Sequence, residues 1–117
     1  MIEGIHHVAL IVSSEESIDF YKRLGFKERF RTKRNYDTVV LLTGYGFELE
    51  TFVDANHPPR ATVPENMGLR HIALKVDNIE ETAKEFGLTL DSVMRDWVGV
   101  RFAYVKDPDG LPFELHE

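Results

Sequence analysis

The chain has no cysteine. That absence excludes disulfides, cysteine-ligated zinc, iron–sulfur clusters and thiol nucleophiles together, and it suits a cytoplasmic protein. No apolar run approaches the roughly 18–20 residues that cross a bilayer, and the opening residues MIEGIHH do not have the pattern of a signal peptide. No membrane partner is expected. Basic residues are also short, with Lys and Arg totalling 14 against 20 Asp and Glu, for a net charge of −6. Phosphate backbones are gripped by basic patches, so nucleic acid is a poor candidate partner. The locally basic run Lys27–Arg34, KERFRTKR, is expected to be a solvated strand and turn. What remains is 117 residues, 13.5 kDa and 43% hydrophobic, one domain's worth of soluble globular chain.

The chain repeats itself. Residues 4–12 are GIHHVALIV and residues 68–76 are GLRHIALKV, identical at Gly4/Gly68, His7/His71, Ala9/Ala73, Leu10/Leu74 and Val12/Val76. The triplet FEL closes each half, at 47–49 and at 113–115. From His7 to Glu48 is 41 residues, and from His71 to Glu114 is 43. Similar burial would explain matched aliphatic residues, but not a matched His and a matched Glu at nearly equal spacing. The expected organisation is a single domain over 1–117, with module one at 1–53, a turn-rich linker at 54–67 and module two at 68–117.

Each module has the pattern βαβββ. In module one, strand Gly4–Val12 leads to Ser13 or Ser14 as a helix cap. Ile18, Tyr21 and Leu24 recur at helical spacing before Gly25. Strands follow at Phe26–Thr32, Thr38–Thr43 and Gly46–Phe52. In module two, strand Leu69–Val76 precedes Asp77/Asn78 as caps, and a helix carries Ile79, Ala83 and Phe86 to Gly87. This helix is expected to be about a turn shorter than the first. Strands follow at Leu90–Arg95, Val98–Lys106 and Leu111–Glu117, with Asp107-Pro108-Asp109-Gly110 as a hairpin turn. The expected fold class is α+β, two paired βαβββ modules forming a cupped mixed sheet with helices on the outer face.

Strand side chains alternate faces. Val8, Leu10 and Val12 share one face, and His7, Ala9 and Ile11 the other; His71 opposes Ile72, Leu74 and Val76 in the same way. In the closing strands Phe47 and Leu49 oppose Glu48 and Glu50, while Phe113 and Leu115 oppose Glu114 and His116. With the aliphatic faces under the helices, each module turns one His and one Glu to its open side. Paired modules would then gather His7, Glu48, His71 and Glu114 in one pocket. Two imidazoles and two carboxylates in a cleft of low dielectric need a cation to hold them. A set of two nitrogens and two oxygens suits Ni, Co, Mn, Fe(II) or Zn, and six-coordination would leave two positions for water or a small-molecule substrate.

These residues resemble the vicinal oxygen chelate superfamily, which includes glyoxalase I, bleomycin-resistance proteins, methylmalonyl-CoA epimerase, fosfomycin-resistance enzymes and extradiol dioxygenases. The resemblance rests on GIHHVALIV, FEL, LRHIALKVDN and DPDGLPFELHE, and runs from Gly4 to Glu117. It implies paired modules cupped around a metal whose substrates chelate through adjacent oxygens. The His-Glu-His-Glu order of His7, Glu48, His71 and Glu114 looks like bacterial glyoxalase I. By that analogy Glu114 is the catalytic base and Glu48 its pseudo-symmetric partner. Glutathione-using glyoxalases carry Arg and Asn where this chain has Ile11 and Phe52, so the usual grip on glutathione is missing. The implied function is a metal-dependent lyase or isomerase. The alternatives are a metabolite- or drug-sequestering binding protein of the same fold, or a dioxygenase. A homodimer is expected, with the metal site formed within one chain or shared between two.

Other residues carry weaker signals. His6 falls on the face opposite His7 and is expected to be structural or at the rim. Glu50 and His116 share the pocket face, as contacts of the ligands or as solvated strand ends. His57 is expected to be exposed in the linker. Arg101 and Lys75 are candidates to pair with an anionic substrate, and Trp97 to line the pocket or to pack.

Overall fold

Helix capping, side-chain alternation and turn chemistry set the order of elements along the chain. The computed structural model describes all 117 residues and divides into two units, Met1–Pro58 and Pro59–Glu117. The division falls inside the expected linker.

In the first unit β1 (Val8–Val12) leads into α1 (Glu15–Arg23), followed by β2 (Lys27–Lys33), β3 (Thr38–Gly44) and β4 (Phe47–Val53). The strand order is β1-β4-β3-β2. Only β1 and β4 run parallel, because the helix carries the chain from one end of β1 back across the sheet. Ser14 caps α1, its Oγ accepting from the Glu16 amide at 3.3 Å. Ile18, Tyr21 and Leu24, the residues of the helical stripe, are buried. So are Leu10, Val12, Val40, Leu42, Leu49 and Thr51, which share one sheet face, while Ala9 and Ile11 on the other face are exposed. Thr51 is a polar member of that core, and its hydroxyl donates to the Val40 carbonyl at 2.7 Å. Gly25 turns the chain out of α1 at a φ of +106°, with the Tyr45 hydroxyl where a side chain would otherwise stand.

In the second unit β5 (Ile72–Lys75) leads to α2 (Ile79–Phe86), then β6 (Met94–Arg95), β7 (Arg101–Lys106) and β8 (Pro112–His116). The order is β5-β8-β7-β6, again with a single parallel pair, β5 with β8. Asn78 caps α2 through its Oδ1, 2.8 Å from the Glu81 amide, and Gly87 ends it in the left-handed region. Ile79, Ala83, Ala103, Val105, Phe113 and Leu115 form this unit's core. The Asp107 carboxylate ties the predicted hairpin turn, accepting from the amides of Asp109 and Leu111 at 2.9 and 2.8 Å.

Several boundaries differ from the sequence reading. Residues 4–7 lie outside β1, and residues 69–71 lie outside β5. The strand expected over 90–95 contracts to Met94–Arg95, since Val93 and Met94 are exposed at the sheet edge and offer it no buried face. The helices differ by one residue, nine against eight, not by a turn.

The basic run forms β2, exposed along its whole length. Its arginines are paired with carboxylates. Arg31 donates to Glu28 at 2.9 and 3.1 Å and also pairs with Glu15 on α1, while Lys22 lies 3.0 Å from Glu28. Hydrogen bonds from Arg31, then from Lys22, hold the Glu28 carboxyl down at about 2, against an ordinary 4.5. A lowered folded value means the stabilisation is full above about 4.5 and is lost as pH falls toward about 2. Arg31→Ala should therefore return most of the Glu28 shift and raise the midpoint of acid unfolding. Carboxyl titration followed by NMR checks this, and a variant whose Glu28 still titrates near 2 would contradict it.

Candidate functional site

Each unit presents a His and a Glu on the sheet face opposite its helix, and the strand register fixes which Glu meets which His. In the first unit Ala9 of β1 lies across from Glu50 of β4. His7, two residues before Ala9, places its Nε2 3.1 Å from Glu50 Oε2. In the second unit Ala73 of β5 lies across from Glu114 of β8. His71, two residues before Ala73, places its Nε2 3.7 Å from Glu114 Oε1. The two arrangements have the same register, and His7 to Glu50 spans 43 residues, as does His71 to Glu114.

Glu48 is occupied differently. Its Oε1 accepts from Arg29 Nη2 at 2.5 Å and from Arg29 Nε at 3.2 Å. Register shifts between Glu28 and Phe30, so Arg29 is the extra residue of a β-bulge; such bulges re-aim a side chain, here onto β4. Arg29's hydrogen bonds are the largest cause holding the Glu48 carboxyl below its ordinary range. Glu48 also belongs to an exposed group with His6 and His7, whose ligand-type atoms lie within 4.8 Å of one another. His6 Nδ1 is 2.8 Å from His7 Nδ1 and 3.9 Å from Glu48 Oε2. This corrects the expectation that His6 sits away from His7. His6 stands two residues before β1 begins, beyond the alternation that still carries through His7.

The second unit surrounds its pair more fully. His71 stands edge-on to Tyr104, ring centroids 5.1 Å apart, and Tyr104 lies across from Glu114 in the ladder. Arg70 Nη1 lies 3.3 Å from the Tyr104 hydroxyl and 3.4 Å from His71 Nδ1. His116 Nδ1 is 2.9 Å from Glu114 Oε2, so His116 is a contact of the expected ligand. Tyr104 and Arg70 were missed by sequence reasoning. The alternation that turned Glu114 outward applies equally to Tyr104 on the neighbouring strand.

The weaker candidates resolve in other ways. His57 pairs with Asp54 at 3.2 Å in the linker. Arg101 is committed to Glu117 at 3.0 Å and to Glu80, while Lys75 is exposed. Trp97 is fully exposed at the β6–β7 turn. No helix is long and apolar enough to cross a membrane.

Known proteins share this plan. The chain is 35% identical to the uncharacterized protein YwkD of Bacillus subtilis, over all of this chain and 98% of that protein. It is 30% identical to the lactoylglutathione lyase of Escherichia coli O157:H7, covering 97% of this chain and 90% of the lyase. The crystal structure of a glyoxalase family protein from Enterococcus faecalis matches with a TM-score of 0.90 and 36% identity, over 98% of each chain. Duplicated units, their parallel closing pairs and their outward His and Glu residues all accord with one further match, over residues 4–115, and by it the chain belongs to the Glyoxalase/Bleomycin resistance protein/Dioxygenase superfamily.

Proposed function

We propose that the chain is a divalent-metal-dependent lyase or isomerase of glyoxalase I type, acting on a small substrate with vicinal oxygens. The observation that carries this is the repeated register, which sets one imidazole beside one carboxylate on the open face of each unit. His7, His71 and Glu114 enter the proposal as the sequence reading has them. For the remaining ligand, Glu50 is favoured over Glu48. Glu50 is the register equivalent of Glu114 and meets His7 at 3.1 Å, whereas Glu48 already carries a guanidinium.

The donor chemistry fits a divalent ion. Ligands about 2.0–2.2 Å from a cation and at right angles to each other are about 3 Å apart, close to the 3.1 Å between His7 and Glu50. Nitrogen and oxygen donors without sulfur suit Ni, Co, Mn, Fe or Zn. A divalent cation held there would supply Lewis acidity toward a substrate carbonyl. Glu114 would take the proton from the carbon beside that carbonyl and return it to the neighbouring carbon. Tyr104 and Arg70, beside His71, can donate hydrogen bonds to the substrate's oxygens.

Similarity to a lactoylglutathione lyase supports the reaction class. The substrate differs in this reading. Ile11 and Phe52 do not offer the polar grip on glutathione that the resemblance would require, and counting from Glu50 the fourth residue on is Asp54, which is not asparagine either. We assign the protein to the cytoplasm on its cysteine-free composition. A homodimer fits exposed apolar residues such as Val63, Met67 and Leu69. The test is a screen of metal-loaded protein against alpha-keto aldehydes, with and without glutathione. Without glutathione, chelator-sensitive conversion of the hydrated aldehyde to the 2-hydroxy acid is expected, water supplying the added oxygen. Tight, chelator-insensitive binding with no turnover would contradict the enzyme and support sequestration.

A further inference from the structure

The two halves of the chain match in fold but not in what lies beside their carboxylates. Two residues beyond Glu50 on the same face of β4 stands Phe52, whose ring faces the Arg34 guanidinium at 5.3 Å. Two residues beyond Glu114 on β8 stands His116. Its Nδ1 is 2.9 Å from Glu114 Oε2, and its Nε2 is 3.2 Å from Asp96 Oδ2. Phe102, across from His116 in the ladder, stacks on its ring with centroids 6.3 Å apart and planes 13° apart. Asp96 is itself fixed, because its Oδ1 accepts from the amides of Val98 and Val100 at 3.0 and 2.9 Å and so closes the β6–β7 turn.

We infer that His116 is a positioning residue for Glu114, held between Asp96 and Phe102, and that it makes Glu114 chemically distinct from Glu50. The two oxygens of Glu114 face different partners. Oε2 accepts from His116 Nδ1, while Oε1 is turned toward His71 Nε2. A carboxylate held by one oxygen presents the other in a fixed direction, as hydrogen-bond partners of metal ligands commonly arrange. Glu50 has a phenyl ring where Glu114 has this imidazole donor. The second half therefore supplies an aimed carboxylate, and the first supplies one without that support. The inference rests on the metal-centre reading above.

The test is Co(II) binding to the full chain, followed by titration and by the visible absorption of the bound ion. It compares the unaltered protein with His116→Phe, His116→Asn and Glu114→Gln. Phenylalanine removes the donor but is the residue found at the matching place in the first half. Asparagine can set an amide donor near the Nδ1 position. Loss of such a partner typically weakens metal binding by about 10–100-fold. His116→Phe should therefore bind Co(II) at least about tenfold more weakly, with an altered absorption spectrum, and His116→Asn should recover most of both. If His116→Phe binds as the unaltered protein does while Glu114→Gln is weakened, positioning by His116 is wrong and the metal centre stands. If the asparagine and phenylalanine variants are equally impaired, the donor is not what matters and the inference fails. If the unaltered protein binds no Co(II), both the inference and the metal-centre reading fall.

Discussion

Replacing Glu50 with Gln should weaken divalent-cation binding by about tenfold or more, while the same change at Glu48 should leave affinity within about threefold. The scale follows from the about 10–100-fold cost of losing even an indirect partner of a metal ligand; loss of a direct carboxylate should cost no less. The two residues lie two apart on β4 and share its open face, so the comparison holds strand and charge constant. What differs is the partner. Glu50 meets an imidazole at 3.1 Å, and Glu48 accepts two hydrogen bonds from Arg29. The guanidinium on Glu48 Oε1 competes with a second cation for that oxygen. Isothermal titration with Co(II) or Ni(II) decides the matter. A larger loss at Glu48 would return the ligand role to the residue that the FEL echo singles out.

Turnover should collapse in Glu114→Gln even at saturating metal. A positioned general base contributes about 100- to 10,000-fold, so a fall of at least about 100-fold in kcat is expected, with part of the metal affinity retained. An amide can still present an oxygen to a cation but cannot accept and return the substrate's proton. Glu50→Gln, once loaded at high metal concentration, should keep more activity than Glu114→Gln. That ordering follows from the asymmetry of the two halves, with His116 on one carboxylate and a phenyl ring at the matching place beside the other. Equal activity of Glu114→Gln and the unaltered protein would remove Glu114 from the chemistry.

Much of the fold was legible because it rests on local rules. Caps at Ser13 or Ser14 and at Asp77 or Asn78, the Ile18, Tyr21 and Leu24 stripe, and Gly87 as a helix stop were visible in the sequence, and the structure takes Ser14 and Asn78 as the caps. Alternation also turned Glu48, Glu50, Glu114 and His116 to the correct sheet face. It could not choose between Glu48 and Glu50, because both lie on that face and differ only in register. Register is a property of two strands, fixed here by Ala9 against Glu50. The spacing is 43 residues in both halves when Glu50 is counted, and 41 against 43 when Glu48 is counted. The FEL match pairs Glu48 with Glu114, whereas the strand register pairs Glu50 with it. His6 was misplaced for a related reason, since alternation was extended past the first paired residue of β1. The bulge that aims Arg29 at Glu48 leaves no sequence signature, and the ring stacked on His116 comes from a neighbouring strand.

In the proposed centre, the imidazoles and carboxylates repeated in the two halves serve one cation. Elemental analysis of purified protein, stripped with chelator and reloaded with Ni, Co, Zn, Mn or Fe, tests it most directly. Close to one divalent ion per 117-residue chain is expected, falling to a small fraction in His7→Ala and in His71→Ala alike. Protein that stays metal-free after reloading, or that retains its ion when both histidines are replaced, would contradict it.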